Sequence, residues 1–360
     1  MDPHPQPQPQ VRPLEKLGQG WTDQLQPLEP LDVMKTATFD QMLRAMSRTA
    51  FSGRNLGEAA DVLYQMATDD KCFVVMTLSG AMTMAKMGLV ITEMIDQGMV
   101  NAIVSTGALM CHGLVEQTGH THFRYDHRWS DEQLYEAGYA RVYDTLELET
   151  NLAAAEGIIR SVLEQMPPEQ PFGSHELHRR LGEHLRQTTS GRGILQSAAA
   201  NDVPVYVPSF TDSELGIDLF LFNLRRRLAG QPQLQLDLLR DLDDYLQRAL
   251  RAERIGIFTI GGGVPRNWAQ QVAPMAEILH RNTNGAVGGL MRYQYGVRIC
   301  PEPTHWGGLS GCTYSEGVSW GKFVPESEGG RYAEVYADAT VAWPILVRAV
   351  LERMGRVGKG

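Results

Sequence analysis

No apolar run in this 360-residue chain is long enough to cross a bilayer; stretches such as Cys72–Leu78 and Ile255–Ile260 have the length of strands. The N-terminus carries no basic-then-apolar leader, so a cytosolic, cytoplasmic address is expected. Basic residues are the minority, 33 Lys and Arg against 42 Asp and Glu, for a formal charge of −9. No basic stripe is present that could follow a phosphate backbone, which argues against a nucleic-acid partner. The four cysteines, Cys72, Cys111, Cys300 and Cys312, contain no C-x-x-C pair, so neither a zinc knuckle nor a disulfide framework is indicated and reduced thiols are expected. Also missing are G-x-G-x-x-G and G-x-x-x-x-G-K-[ST], the standard dinucleotide fingerprint and the P-loop.

What is present is enough apolar material for a full core, 43% of residues. The opening MDPHPQPQPQ alternates proline with polar residues and cannot bury apolar surface, so residues 1–30 are expected to form a disordered tail. Residues 31–360 show no linker, internal repeat or low-complexity stretch and are expected to form one domain. Within them one theme recurs: an apolar strand ends in small or polar residues and a helical pattern follows. CFVVMTLSGAM leads to GLVITEMIDQG, NAIVSTGAL to CHGLVEQ, VPVYVPSFTD to LGIDLFLFNLRRRL, IGIFTIGGGVP to NWAQQVAPMAEILHR, and AEVYADAT to PILVRAVLERM. Near-continuous apolar strands separated by amphipathic helices predict a doubly wound, mostly parallel, Rossmann-like α/β fold with helices on both faces.

Ligands of such sheets sit beyond the carboxyl ends of the strands. Those ends read Ser79-Gly80-Ala81, Thr106-Gly107-Ala108, Thr211-Asp212, Gly261-Gly262-Gly263 and Asp338-Ala339. Glycine after a strand is ordinarily turn chemistry. Five small or polar ends together predict a nucleotide-sized ligand, because glycines let it approach the backbone and helix N-termini offer N–H groups.

One lysine stands out in EGVSWGKF, residues 316–323. By composition alone Lys322 reads as a solvated lysine after a turn. As a nucleophile it would have to be neutral, which requires desolvation or nearby positive charge; Trp320 could supply an apolar wall, while Glu316 could hold a substrate cation or move a proton.

Together with GGGVPRNWAQQ, FTDSELG, MVNAIVSTGA and VYADATVAWPILV, the EGVSWGK segment resembles the deoxyhypusine synthase family, homospermidine synthase relatives included, in the same order from Met76 to Val350. Members of that family use NAD to oxidise a secondary amine of spermidine to an imine, hold the aminobutyl fragment on a lysine, and pass it to an acceptor amine. The resemblance implies Lys322 as that lysine, with Trp320 stacking along the amine and Glu316 holding an ammonium end. It implies an NAD site at Gly80, Thr106, Gly107, Ala108, Asp212, Gly263, Asp338 and Ala339, and a homotetramer with active sites at subunit interfaces. No metal is implied, although His112, His120, His122 and His127 cluster in sequence. Of these, His112 is expected beside the substrate cavity and the other three on the surface or in loops.

Several departures fall where the family grips spermidine. Ile217 and Leu309 stand where acids are expected, with Asp218 one residue on; His112 replaces a glutamate; Trp268 replaces a histidine; and HWGGLSG, with His305 and Trp306, replaces an acidic turn. A pocket with fewer acids suits a less cationic amine, one bearing a carboxylate, for which Arg292, Arg298, His112 and His305 are candidate partners. The chain is therefore expected to transfer an alkylamine fragment among small amines; the alternatives are an NAD-dependent amine dehydrogenase or lyase, and a catalytically silent NAD-binding protein.

Overall fold

A computed structural model describes residues 11–357. Its centre is a six-stranded sheet of β1 (Cys72–Leu78), β2 (Ala102–Ser105), β6 (Val205–Tyr206), β7 (Arg254–Ile260), β8 (Tyr293–Ile299) and β9 (Arg331–Val335), in the order β6-β2-β1-β7-β8-β9. Every neighbouring pair is parallel. The chain winds outward from β1 in one direction, returns, and winds outward in the other, so the strand order reverses between β1 and β7. This is the doubly wound Rossmann order.

Both faces of the sheet are covered because its strands are apolar on both. Val74, Met76 and Leu78 of β1 join one core with Leu63, Ile91 and Trp343, while Val75 between them joins a second core with Tyr245, Ala269 and Val272. No helix among the described residues is long and apolar enough to span a membrane.

Two features depart from the sequence pattern. β8 is a sixth sheet strand that its YQYGVRI sequence does not announce, since polar residues and Gly296 interrupt the apolar run. The glycine has a packing reason: a Cβ there would lie 2.8 Å from the Tyr314 ring. A second, antiparallel sheet of β3 (Phe123–Arg124), β4 (Tyr139–Val142) and β5 (Thr145–Leu148), in the order β3-β5-β4, sits between β2 and β6 in the chain. Of the expected tail, residues 1–10 lie outside the described residues, and residues 11–30 are exposed throughout.

Candidate active site

Lys322 owes its position to the small residues around it. Thr313 caps the helix Tyr314–Ser319, its Oγ1 accepting from Glu316 N at 3.0 Å. At the other end Gly321 adopts φ 68, and the N–H groups of Gly321 and Lys322 donate to the carbonyls of Val318 and Gly317 at 3.0 and 3.1 Å. That paired closure is a Schellman turn, and its left-handed residue explains the glycine. Beyond it Phe323 bridges to Tyr293 at the start of β8, with Tyr293 N donating to Lys322 O at 2.9 Å and Val324 N to Tyr293 O at 2.9 Å. Gly317 has no room for a side chain: a Cβ would lie 2.6 Å from the Phe323 ring. Backbone bonds on both sides of the lysine thus fix its Cα, and the close Gly317–Phe323 contact fixes the turn.

The side chain enters a cleft of about 310 Å³ lined by Arg266, Asn267 and Gln270 on one side and by Leu309, Cys312, Glu316 and Trp320 on the other. Lys322 is 8% exposed. Its Nζ donates weakly to Asn267 Oδ1 at 3.5 Å and lies 5.8 Å from the Trp320 ring centre. Burial lowers its pKa from the ordinary 10.5; Arg266 works in the same direction, while Cys312 and Glu316 oppose it. Desolvation therefore outweighs the carboxylate, which favours a neutral, nucleophilic amine.

Asn267 stands one helical turn after the triple glycine, on the helix Gly263–Gln270, so the lysine cleft lies about 6 Å along that helix from the sheet's switch point. At the switch point Ser79 Oγ accepts from Gly262 N at 2.8 Å and donates to Ile260 O at 3.2 Å, tying the ends of β1 and β7 together. Gly80 and Gly263 both have positive φ, 78 and 59, and a Cβ on Gly263 would meet nothing within 4 Å. The backbone is thus left open at the place where a dinucleotide pyrophosphate would approach it. Thr106 and Asp338 cap the helices Gly107–Gln117 and Ala339–Arg353, their side chains accepting from Leu109 N at 3.4 Å and Thr340 N at 2.8 Å. Gly107 is required by Ser213, whose Oγ would lie 2.1 Å from an added Cβ. Ala108, Ala339 and the exposed Asp212 occupy the same strand ends. These residues fit a dinucleotide at the crevice.

A second polar cluster lies on the β2 side. Glu147 Oε2 faces His122 Nε2 at 2.6 Å and His112 Nδ1 at 3.1 Å, and its Oε1 accepts from Asn151 Nδ2 and Leu148 N, both at 2.9 Å. His122 Nδ1 is 2.8 Å from Lys86 Nζ. Ligand atoms of His112, His122 and Glu147 lie within 4.8 Å of one another, the spacing that a divalent ion would need. Burial opposes ionisation of Glu147, yet hydrogen bonds from His112, His122 and Asn151 hold its carboxyl well below the usual range.

Several expectations from sequence require correction. Trp268 does not line the cleft; it stacks on Tyr245 at 5.2 Å and packs on Tyr206 at 5.5 Å, because the helical step past Asn267 turns it into the second core. His305 is exposed beside Trp306 and also lies outside the cleft lining. His122 lies in a loop, as expected, just before β3, and is buried there. Arg292 is committed to Glu328 at 2.8 Å, and Arg298 to Glu334 at 2.8 Å and Cys312 O at 2.9 Å. Ile217 is exposed, while Asp218 is half-buried with its pKa raised to about 6 by burial and by Glu156 and Glu214. Sequence reasoning missed Arg266, Asn267 and Gln270; their helical spacing of 3, 4 and 7 residues after Gly263 was the available signal.

The family model for deoxyhypusine synthase matches residues 41–350. A "probable deoxyhypusine synthase 2" of Methanosarcina acetivorans is 35% identical over 328 residues, 91% of this chain and 90% of the relative. Another, from Archaeoglobus fulgidus, is 30% identical over 306 residues, covering 85% and 96% of the two chains. Among solved structures, a putative deoxyhypusine synthase from Entamoeba histolytica superposes with a TM-score of 0.55 at 16% identity, covering 89% of this chain and 96% of that one, a likeness of fold. With a model match across most of its length and relatives at this identity, the chain belongs to the deoxyhypusine synthase family of transferases.

Proposed function

We propose that this protein is a cytoplasmic, NAD-dependent transferase that moves an aminobutyl-type alkylamine fragment from a polyamine or related amine to an acceptor amine through an imine on Lys322. The observation that carries the reading is Lys322 itself, a buried amine with a lowered pKa, opening into a cleft beside the sheet's switch point. When bound at the crevice of Gly80, Thr106–Ala108, Gly263 and Asp338–Ala339, NAD supplies a reversible hydride acceptor. Loss of hydride and a proton from the donor leaves a carbon–nitrogen double bond. The neutral Nζ of Lys322 adds to that carbon and the departing amine takes up a proton as its bond to carbon breaks, leaving the fragment as a lysine imine. The acceptor amine then displaces Lys322, and return of the hydride gives the new secondary amine, so the cycle is redox-neutral. Trp320 walls the amine, and Glu316 holds its ammonium end. Family membership also supports a homotetramer with active sites at subunit interfaces.

Borohydride reduction after incubation with NAD and a candidate amine tests the reading. A mass adduct on Lys322, absent from Lys322→Ala, is expected. Full turnover by Lys322→Ala would instead assign an amine dehydrogenase, and no adduct with any amine would assign a silent binder.

A further inference from the structure

The ionisable groups of the lysine cleft are unevenly paired. Arg266 is 2% exposed, yet its Nε and Nη2 have no hydrogen-bond partner. Only Nη1 is engaged, donating to Leu309 O at a long 3.4 Å, while the guanidinium lies over the Tyr314 ring at 5.3 Å. One turn along the same helix Gln270 is 4% exposed, and its Nε2 is likewise without a partner. Three donors without a hydrogen-bond partner, each shielded from water, thus belong to two residues of the cleft lining. A buried guanidinium with two unpartnered nitrogens is costly, and the Tyr314 stacking and the long Leu309 bond offset only part of that cost. Among the described residues the only carboxylate lining the cleft is that of Glu316; Leu309 contributes a carbonyl and no charge.

We propose that the Lys322 cleft selects a substrate carrying one ammonium and one carboxylate, with Arg266, assisted by Gln270, as the carboxylate anchor and Glu316 as the ammonium anchor. A planar guanidinium offering Nε and Nη2 presents the paired donors that a carboxylate accepts side by side. A polyamine with two or three ammonium groups would find one acid here and would bring positive charge against Arg266. A zwitterion matches both walls. This names the substrate class of the transferase proposed above and rests on that reading. It also replaces Arg292, Arg298 and His112 as carboxylate partners, since each of those is paired within the protein.

The test is calorimetric titration of the full-length protein, saturated with NAD, using 5-aminopentanoate and cadaverine, which share a five-carbon chain and differ in one terminal group. The zwitterion should bind at least about tenfold more tightly, the worth of one charge-assisted pair. Arg266→Met should bring the two to parity, and Arg266→Lys should keep part of the preference. If Arg266→Met does not fold, Gln270→Leu provides the second variant, with a smaller fall in preference expected. Equal or tighter binding of cadaverine by the wild-type protein overturns the inference, as does a preference that Arg266→Met leaves intact. The two readings fail separately. A Lys322 adduct without zwitterion preference removes the inference and spares the transferase, whereas preference without any adduct does the reverse.

Discussion

Two of the ionisable clusters that the described residues withdraw from water differ in how far their hydrogen bonds are completed. Around Glu147 the carboxylate meets four donors, from His112, His122, Asn151 and the Leu148 backbone. Around Lys322 an amine is held to a single long contact, and Arg266 and Gln270 keep unused donors. Completed buried networks bind parts of a fold together, and incomplete ones are tolerated where a ligand finishes them. On the reading proposed above, the first cluster serves the fold and the second serves substrate recognition.

The largest effect expected from breaking this contrast is at Glu147. Glu147→Leu would remove the acceptor shared by His112 and His122 and one of the two acceptors of Asn151, which still donates to Thr121 O, and should cost about 3 kcal/mol in denaturant unfolding. Its pH dependence has a definite sign. Glu147 has a lowered folded pKa, so its contribution is present above the ordinary 4.5 and is lost as pH falls through the folded value. His122 is opposite: burial works against its charge, but hydrogen bonds with Glu116 and Glu147 raise its pKa, so its contribution is present below the ordinary 6.5 and fades as pH rises through the folded value. The wild-type protein should therefore lose stability toward both extremes, and the variant should show a flatter profile between them.

Gly317 sharpens the contrast from the other side. Gly317→Ala forces a Cβ against the Phe323 ring and should cost about 1–3 kcal/mol by overpacking. Because Phe323 follows Lys322, turnover should fall further, by about a hundredfold, through misplacement of the amine. A variant with wild-type turnover would show that the turn does not position the lysine.

The parallel sheet was legible because its strands, buried on both faces, leave near-continuous apolar runs before glycine or hydroxyl residues. β8 escaped because Gly296 and its polar neighbours interrupt that run, and their reason is the ring of Tyr314, distant in sequence. β3 and β4 escaped because they are short and mostly exposed, with little apolar patterning to read. In the site, Lys322, Trp320 and Glu316 were picked out as one short segment by its resemblance to the family, composition alone having read the lysine as solvated. Arg266 was not: that an arginine is buried and half-paired is a property of the loop that covers it. Trp268 was misread by one helical step, the difference between facing the cleft and facing the core.

Imine formation on Lys322 requires a dry, easily neutralised amine, and the rate of its reductive methylation as a function of pH measures that property directly. The reactive amine should titrate below the 10.5 of an ordinary lysine, because burial disfavours its charge. A Lys322 that titrates at or above 10.5 would contradict the account.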